Sequence, residues 1–140
     1  MNTNNSEKKI WVNGTFDVLH VGHLKLLEFA KSQGHLRVGI DSDKRVKELK
    51  GEDRPFNNLL DRKFFLESLK FVDEVVVFDS REELIQLVRE YEPNYMVIGD
   101  DYRGQTVYGA EYTEEVIFFG KLPEYSTTKI LKYYENLGDR

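Results

Sequence analysis

Ile10-Trp11-Val12-Asn13 runs into Gly14-Thr15-Phe16-Asp17-Val18-Leu19-His20-Val21-Gly22-His23, and beyond it Leu24, Leu27 and Ala30 recur at helical spacing. The first four residues suit a buried strand. Val21, Leu24, Leu27 and Ala30 share one face at i, i+3, which predicts a helix over Gly22–Ser32. Gly14 stands where the strand must turn tightly and Gly22 where the helix begins, without a Cβ to keep a ligand from the backbone. The stretch reads as strand, turn, helix.

The same alternation continues outward. Further strands are expected at Leu36–Asp41, Glu74–Phe78, Tyr95–Gly99 and Val116–Phe119. Helices are expected at Lys44–Lys50, Leu59–Leu69, Arg81–Tyr91, Tyr108–Glu115 and Thr127–Asn136. Ser80 with Glu83 forms a capping box, and Pro93 stops the helix between them. Strands alternating with helices predict βαβ units: a flexible tail over 1–8, then one doubly wound, Rossmann-like α/β domain over 9–140 with a five-stranded parallel sheet. In such a sheet ligands lie beyond the carboxyl ends of the strands. That rule selects the loops Gly14–Val21, Asp41–Lys44, Gly99–Gly104 and Leu122–Thr128.

The 140 residues (16.5 kDa) fit one domain with an ordinary core. The chain has no cysteine, which excludes disulfides, thiolate zinc sites and a cysteine nucleophile. No apolar run approaches the roughly 18 residues of a membrane span, and Met1–Lys9 lacks the apolar core of a secretory signal. A cytoplasmic protein without a membrane partner is the expectation. Twenty basic against 25 acidic residues give a net charge of −5, so no nucleic-acid face is expected and an anionic ligand needs a local cluster.

The first loop supplies one. A helix N-terminus presents orphan N–H groups and a favourable dipole to an anion. His20 and His23, two of the three histidines, stand at i, i+3 and can each donate a hydrogen bond or a positive charge. Thr15 adds a hydroxyl. Each residue alone has a plainer reading as a cap or surface group. Zinc is the other sharp reading, but no third ligand stands at motif spacing. In Lys44–Lys63 the cations are interleaved with Glu48, Glu52, Asp53 and Asp61, which reads mostly as a solvated helix face. Asp100 and Asp101 suit either a polar turn or a ligand's hydroxyl or amino groups. Ser126-Thr127-Thr128 opens the last predicted helix with more hydroxyls than one N-cap needs. Phe64-Phe65 and Tyr133-Tyr134 are assigned to core and surface packing.

G-T-F-D-x-L-H-x-G-H resembles the signature of the HxGH nucleotidyltransferases, in their cytidylyltransferase-like branch. Ser126-Thr127-Thr128-Lys129-Ile130 resembles that branch's second signature, in the right order. The resemblance implies direct attack of a phosphomonoester oxygen on the α-phosphorus of an NTP, with pyrophosphate leaving. It implies that His20 and His23 stabilise the phosphates. Thr15, Phe16, Gly22, Asp100, Asp101, Ser126, Thr127 and Thr128 would hold the nucleotide. A Mg²⁺ ion would be bridged by the nucleotide's phosphates rather than by a protein site, with Asp17 near it or bracing the loop.

Two branches of the family compete. Gly99-Asp100-Asp101, Thr128-Lys129-Ile130 and a phosphate-binding Arg62 resemble the glycerol 3-phosphate cytidylyltransferases. Lys50-Gly51-Glu52-Asp53-Arg54-Pro55 and Val77-Phe78-Asp79 resemble the heptose 1-phosphate adenylyltransferases, with Lys50 catalytic and Arg54 on the acceptor phosphate. The arginine that the cytidylyltransferases carry before S-T-T is absent here, with Lys121 the nearest cation. The lysine that the heptose enzymes carry before G-G-D is replaced by Ile98. CTP is the favoured nucleotide, with ATP and a heptose-type acceptor as the alternative, and the family implies a homodimer. Two further classes stand beside the enzyme: a non-catalytic nucleotide-binding module, and a flavodoxin-like or receiver-like interaction domain of the same architecture.

Overall fold

The computed structural model describes residues 7–120. Its elements in chain order are β1 (Lys9–Gly14), α1 (Val21–Ser32), β2 (His35–Asp41), α2 (Asp43–Lys50), α3 (Leu59–Glu67), β3 (Glu74–Phe78), α4 (Arg81–Tyr91), β4 (Tyr95–Gly99) and β5 (Glu115–Phe119). The five strands form one parallel sheet in the order β3-β2-β1-β4-β5. The chain winds outward from β1 to β3, then crosses back to β4 on β1's other side. The topological switch point therefore falls between β1 and β4.

Pairing across that point is short. β1 is in register with β2 from Lys9↔His35 to Gly14↔Ile40, but with β4 only at Ile10↔Tyr95 and Trp11↔Met96. No further pair of β1 and β4 is in register toward their carboxyl ends, and it is there that the fold rule places a ligand crevice.

Strand alternation divides the core in two. Ile10, Val12, Leu36, Val38, Ile40 and Val97 pack under Leu27 and Ala30 of α1 and Leu66 of α3. Trp11, Phe78 and Met96 pack under Leu84, Val88 and Tyr91 of α4. Gly39 makes the second layer possible, because a Cβ there would meet the Trp11 ring at 2.6 Å. The Trp11 indole N–H is satisfied by the Asn13 side chain at 2.8 Å.

Most element ends follow their local chemistry. Asn58 caps α3 and Ser42 caps α2 through their side chains. Ser80 caps α4, while the Glu83 carboxylate accepts from Asp79 N, one residue before the cap. The helix expected over Tyr108–Glu115 is corrected. A single 3₁₀ turn, Ala110–Tyr112, stands there, and Glu115 already belongs to β5. Gly109 precedes the turn at φ 88°, and the Thr113 hydroxyl donates to Pro93 O, which ends it. The expected helix Thr127–Asn136 and most of the N-terminal tail lie outside the described residues.

Candidate functional site

At the end of β1 the chain turns through Phe16, whose φ of 51° is left-handed and strained for a bulky side chain. Its ring is buried and packs edge-on against His23, with centroids 5.4 Å apart. The turn delivers the chain to the N-terminus of α1, which the two histidines cap reciprocally. Gly22 N donates to His20 Nδ1 at 3.0 Å, and His20 N donates to His23 Nδ1 at 3.2 Å. The rings stack with centroids 3.9 Å apart.

That cap fixes the tautomer. A backbone N–H can only donate, so both Nδ1 atoms carry lone pairs and both protons sit on Nε2. Burial lowers the pKa of His20. Burial, then His20 and then Lys50, lowers that of His23 from 6.5 to about 4. The pair therefore acts at neutral pH as two neutral N–H donors at a helix N-terminus. A neutral imidazole can donate a hydrogen bond to a ligand but brings it no positive charge. Among the described residues there is no group of three His, Cys, Asp or Glu that could hold a metal ion.

Below the histidines, two buried charges bind the loops together. Asp17, 2% exposed, accepts from Arg54 Nε at 3.0 Å, Phe56 N at 2.8 Å and Asn57 N at 2.7 Å. Asp17 braces the 54–57 segment rather than facing a substrate, and it draws Arg54 inward as it does so. Arg62, expected to reach a substrate phosphate, is corrected. It is 0% exposed and donates to Asn57 O, Thr15 O, Asp41 O and Asp43 Oδ1 at 2.7–3.1 Å. A guanidinium spent on four acceptors inside the protein has no open face. Arg62 is a positioning residue joining the β1, β2 and α3 ends.

Thr15 is likewise engaged. Its hydroxyl donates to Asp41 at 3.2 Å, so that proton is not directed at a ligand. Burial raises the Asp41 pKa against the opposing pull of Thr15, Arg45, Arg62 and Lys50. Arg45, which the interleaved charges of its segment assign to a solvated face, lies half-buried with Nε 3.6 Å from Asp41. Lys50 is the last residue of α2. Desolvation and Arg54 lower its pKa, while Asp41 and Asp17 oppose that shift. His23, Lys50, Asp41 and Asp17 thus share one electrostatic neighbourhood.

After β4, Asp100 binds Arg103 through Nε and Nη2, both at 2.8 Å, and the Arg103 guanidinium lies 4.3 Å from the Phe118 ring centroid. Sequence reasoning misses Arg103, because an exposed arginine in a polar turn carries no signal until the switch point is located. The side chain of Asp101, and Ser126, Thr127 and Thr128 altogether, lie outside the described residues. The structure therefore brings together His20, His23, Phe16, Gly22, Thr15 and Lys50, with Asp17, Arg54 and Arg62 as their supports.

The profile of the cytidylyltransferase-like family matches residues 11–132. The bifunctional protein HldE of a Nitratiruptor species is 44% identical over 126 residues, and that of Aliarcobacter butzleri is 42% identical over 132. These matches cover 88% and 92% of this chain but 27% of each relative, so the chain spans about a quarter of their length. Among solved structures, the lipopolysaccharide core biosynthesis protein of Thermoplasma volcanium superposes with a TM-score of 0.67 at 23% identity, covering 81% of this chain and 97% of that one. At that identity the likeness is one of fold.

Proposed function

The chain belongs to the cytidylyltransferase-like family and is a nucleotidyltransferase by that kinship; within the family we propose that it transfers an adenylyl group from ATP to a sugar 1-phosphate of the heptose type. One observation carries the choice of branch. The Lys50–Pro55 stretch, the sequence feature that resembles the heptose 1-phosphate adenylyltransferases, is bolted to the signature loop by Asp17 through Arg54 Nε and the amides of Phe56 and Asn57. Lys50 opens that stretch, and its charge is among the causes that lower the His23 pKa, which supports a role for it near the pair. The 42–44% identity to the HldE proteins supports the same branch. The finer reading accordingly moves from CTP to ATP.

The chemistry asks little bond-making of the protein. An acceptor phosphate oxygen attacks the α-phosphorus in line, the bond to the bridging oxygen breaks, and pyrophosphate leaves with that electron pair. The acceptor is already an anion, so no base is needed. Catalysis then rests on position and charge. The His20 and His23 Nε2–H groups, fixed by the cap, would donate to phosphate oxygens as charge builds there. Lys50 would supply the positive charge for the acceptor side. Mg²⁺, arriving with the nucleotide, would neutralise phosphate charge; no cage of protein ligands for it stands among the described residues.

The test is pyrophosphate release, crossing ATP and CTP with heptose 1-phosphate and glycerol 3-phosphate in the presence of Mg²⁺. Release with ATP and the sugar phosphate is expected. Release with CTP and glycerol 3-phosphate alone would return the chain to the cytidylyltransferase branch. Nucleotide binding without release from any pair would make it a binding module.

A further inference from the structure

β1 is the middle strand of the sheet, and its residues Ile10, Trp11 and Val12 are 0–2% exposed. Asn13, the next residue, is exposed. Two features leave it uncovered. β4 is in register with β1 only as far as Trp11↔Met96. The β2 residue opposite Asn13 is Gly39, which has no side chain to lay over it. A polar side chain uncovered at the carboxyl end of the central strand, beside the switch point, stands where a parallel sheet receives its ligands.

The amide is also oriented. The Trp11 indole N–H can only donate, so the atom it meets at 2.8 Å is the Asn13 carbonyl oxygen, Oδ1. Nδ2 keeps both its hydrogens, and among the described residues it meets no acceptor. A donor is thus fixed in place by a buried ring and left unspent.

We propose that Asn13 holds the acceptor sugar, donating from Nδ2 to one of its hydroxyl oxygens. The inference rests on the proposed transfer to a sugar 1-phosphate and adds to it the residue that meets the sugar. Alternation places Asn13 on the sheet face of Trp11, opposite the face that packs under α1. Asp41 shares that face one strand over, two residues past Gly39. It accepts from the Thr15 hydroxyl at 3.2 Å, with Arg45 3.6 Å away and Lys50 near enough to act on its titration. Two cations therefore attend Asp41, the diagonal neighbour of Asn13. An acceptor whose phosphate is held by them would lay its sugar toward Asn13. Nucleotide phosphates at the His20–His23 cap would meet that acceptor over the end of β1. A neutral amide donor suits a neutral hydroxyl, and fixing the sugar ring aligns the phosphate oxygen for in-line attack.

Pyrophosphate release with ATP, Mg²⁺ and heptose 1-phosphate tests it on two variants. Asn13→Asp keeps an oxygen for the Trp11 indole and loses the donor; Asn13→Ala loses the donor without adding a charge. In both, kcat/KM for the sugar phosphate is expected to fall about 10-fold, with KM for ATP within about twofold of wild type. One monodeoxy analogue of the sugar phosphate should lose the same factor with wild type and nothing further with Asn13→Ala, since either change breaks the same bond. Should Asn13→Asp fail to fold by circular dichroism, Asn13→Ala and the analogues decide. An unaffected Asn13→Ala overturns the proposal. So does a loss confined to ATP, and so do analogues that lose equally with both proteins. Wild-type turnover separates this inference from the function beneath it. Without turnover of the sugar phosphate both fall; with it, an unaffected variant sinks this inference alone.

Discussion

The two walls of the crevice are built differently. On the β1 side nearly every polar group is engaged: the histidines cap their own helix, Asp17 holds three donors and Arg62 four acceptors. On the β4 side, the turn after Gly99 carries an exposed Asp100–Arg103 pair and a guanidinium laid on Phe118. A wall with its bonds made in advance suits a step repeated identically in every turnover. A wall of exposed, exchangeable contacts suits discrimination among ligands. Under the proposed function, the first wall would serve the phosphate chemistry and the second the choice of ligand.

The sharpest way to break this comparison is Arg62→Ala. It leaves the Thr15, Asp41 and Asn57 carbonyls without their donor, and each buried orphan costs about 1–3 kcal/mol. A loss of at least about 3 kcal/mol in urea denaturation is expected. Arg62→Lys should recover only part of it, since one ammonium cannot span the same acceptors. A small loss would mean that the β1 wall is not held from beneath.

His20→Asn separates the cap from the chemistry. Asn can accept from Gly22 N as His20 does, so stability should stay within about 1 kcal/mol of wild type. Removing the Nε2–H donor is expected to lower turnover by about 10²–10³-fold. Equal losses of stability and turnover would show that the cap itself is the histidine's main task.

Acid titration sharpens the same wall. His23 titrates at about 4 in the folded chain against an ordinary 6.5. The unfolded chain therefore takes up the proton first as pH falls. His23's stabilising contribution is complete above 6.5, declines through the window down to about 4 and is gone below it. Denaturation midpoints should follow that course, and His23→Gln should flatten it.

The smallest effect belongs to the β4 wall. Arg103→Ala should leave stability within about 0.5 kcal/mol of wild type and weaken nucleotide binding several-fold by calorimetry. A large stability loss there would erase the contrast between the walls.

What is legible in the sequence is whatever is decided locally. Glu74–Phe78, Arg81–Tyr91 and Tyr95–Gly99 fall on their expected residues because β-branched runs, the Ser80 cap and Pro93 act over a few positions. The signature loop is legible for the same reason, as two histidines at one helix end. Arg62 is not, because three of its four acceptors are backbone carbonyls, two of them 47 and 21 residues away, which leave no mark in a side-chain pattern. Arg45 passes for a solvated cation because nothing local tells that Asp41, one turn earlier, is buried. Tyr108–Glu115 fails as a helix because Gly109 and the capture of Thr113 by Pro93 O, 20 residues back, outweigh its local preference.

The chain's single tryptophan gives the architecture an optical voice. Trp11 is fully buried, slotted over Gly39, and its indole N–H is tied to Asn13, one residue before the turn that starts the site. Its emission is expected to be blue-shifted while it is buried under α4 and to shift to the red on unfolding. Because Asn13 tethers the indole to the strand end, a ligand that shifts the β1 terminus is expected to alter the quantum yield without unfolding the chain. The protein carries its own dye, placed where the crevice begins.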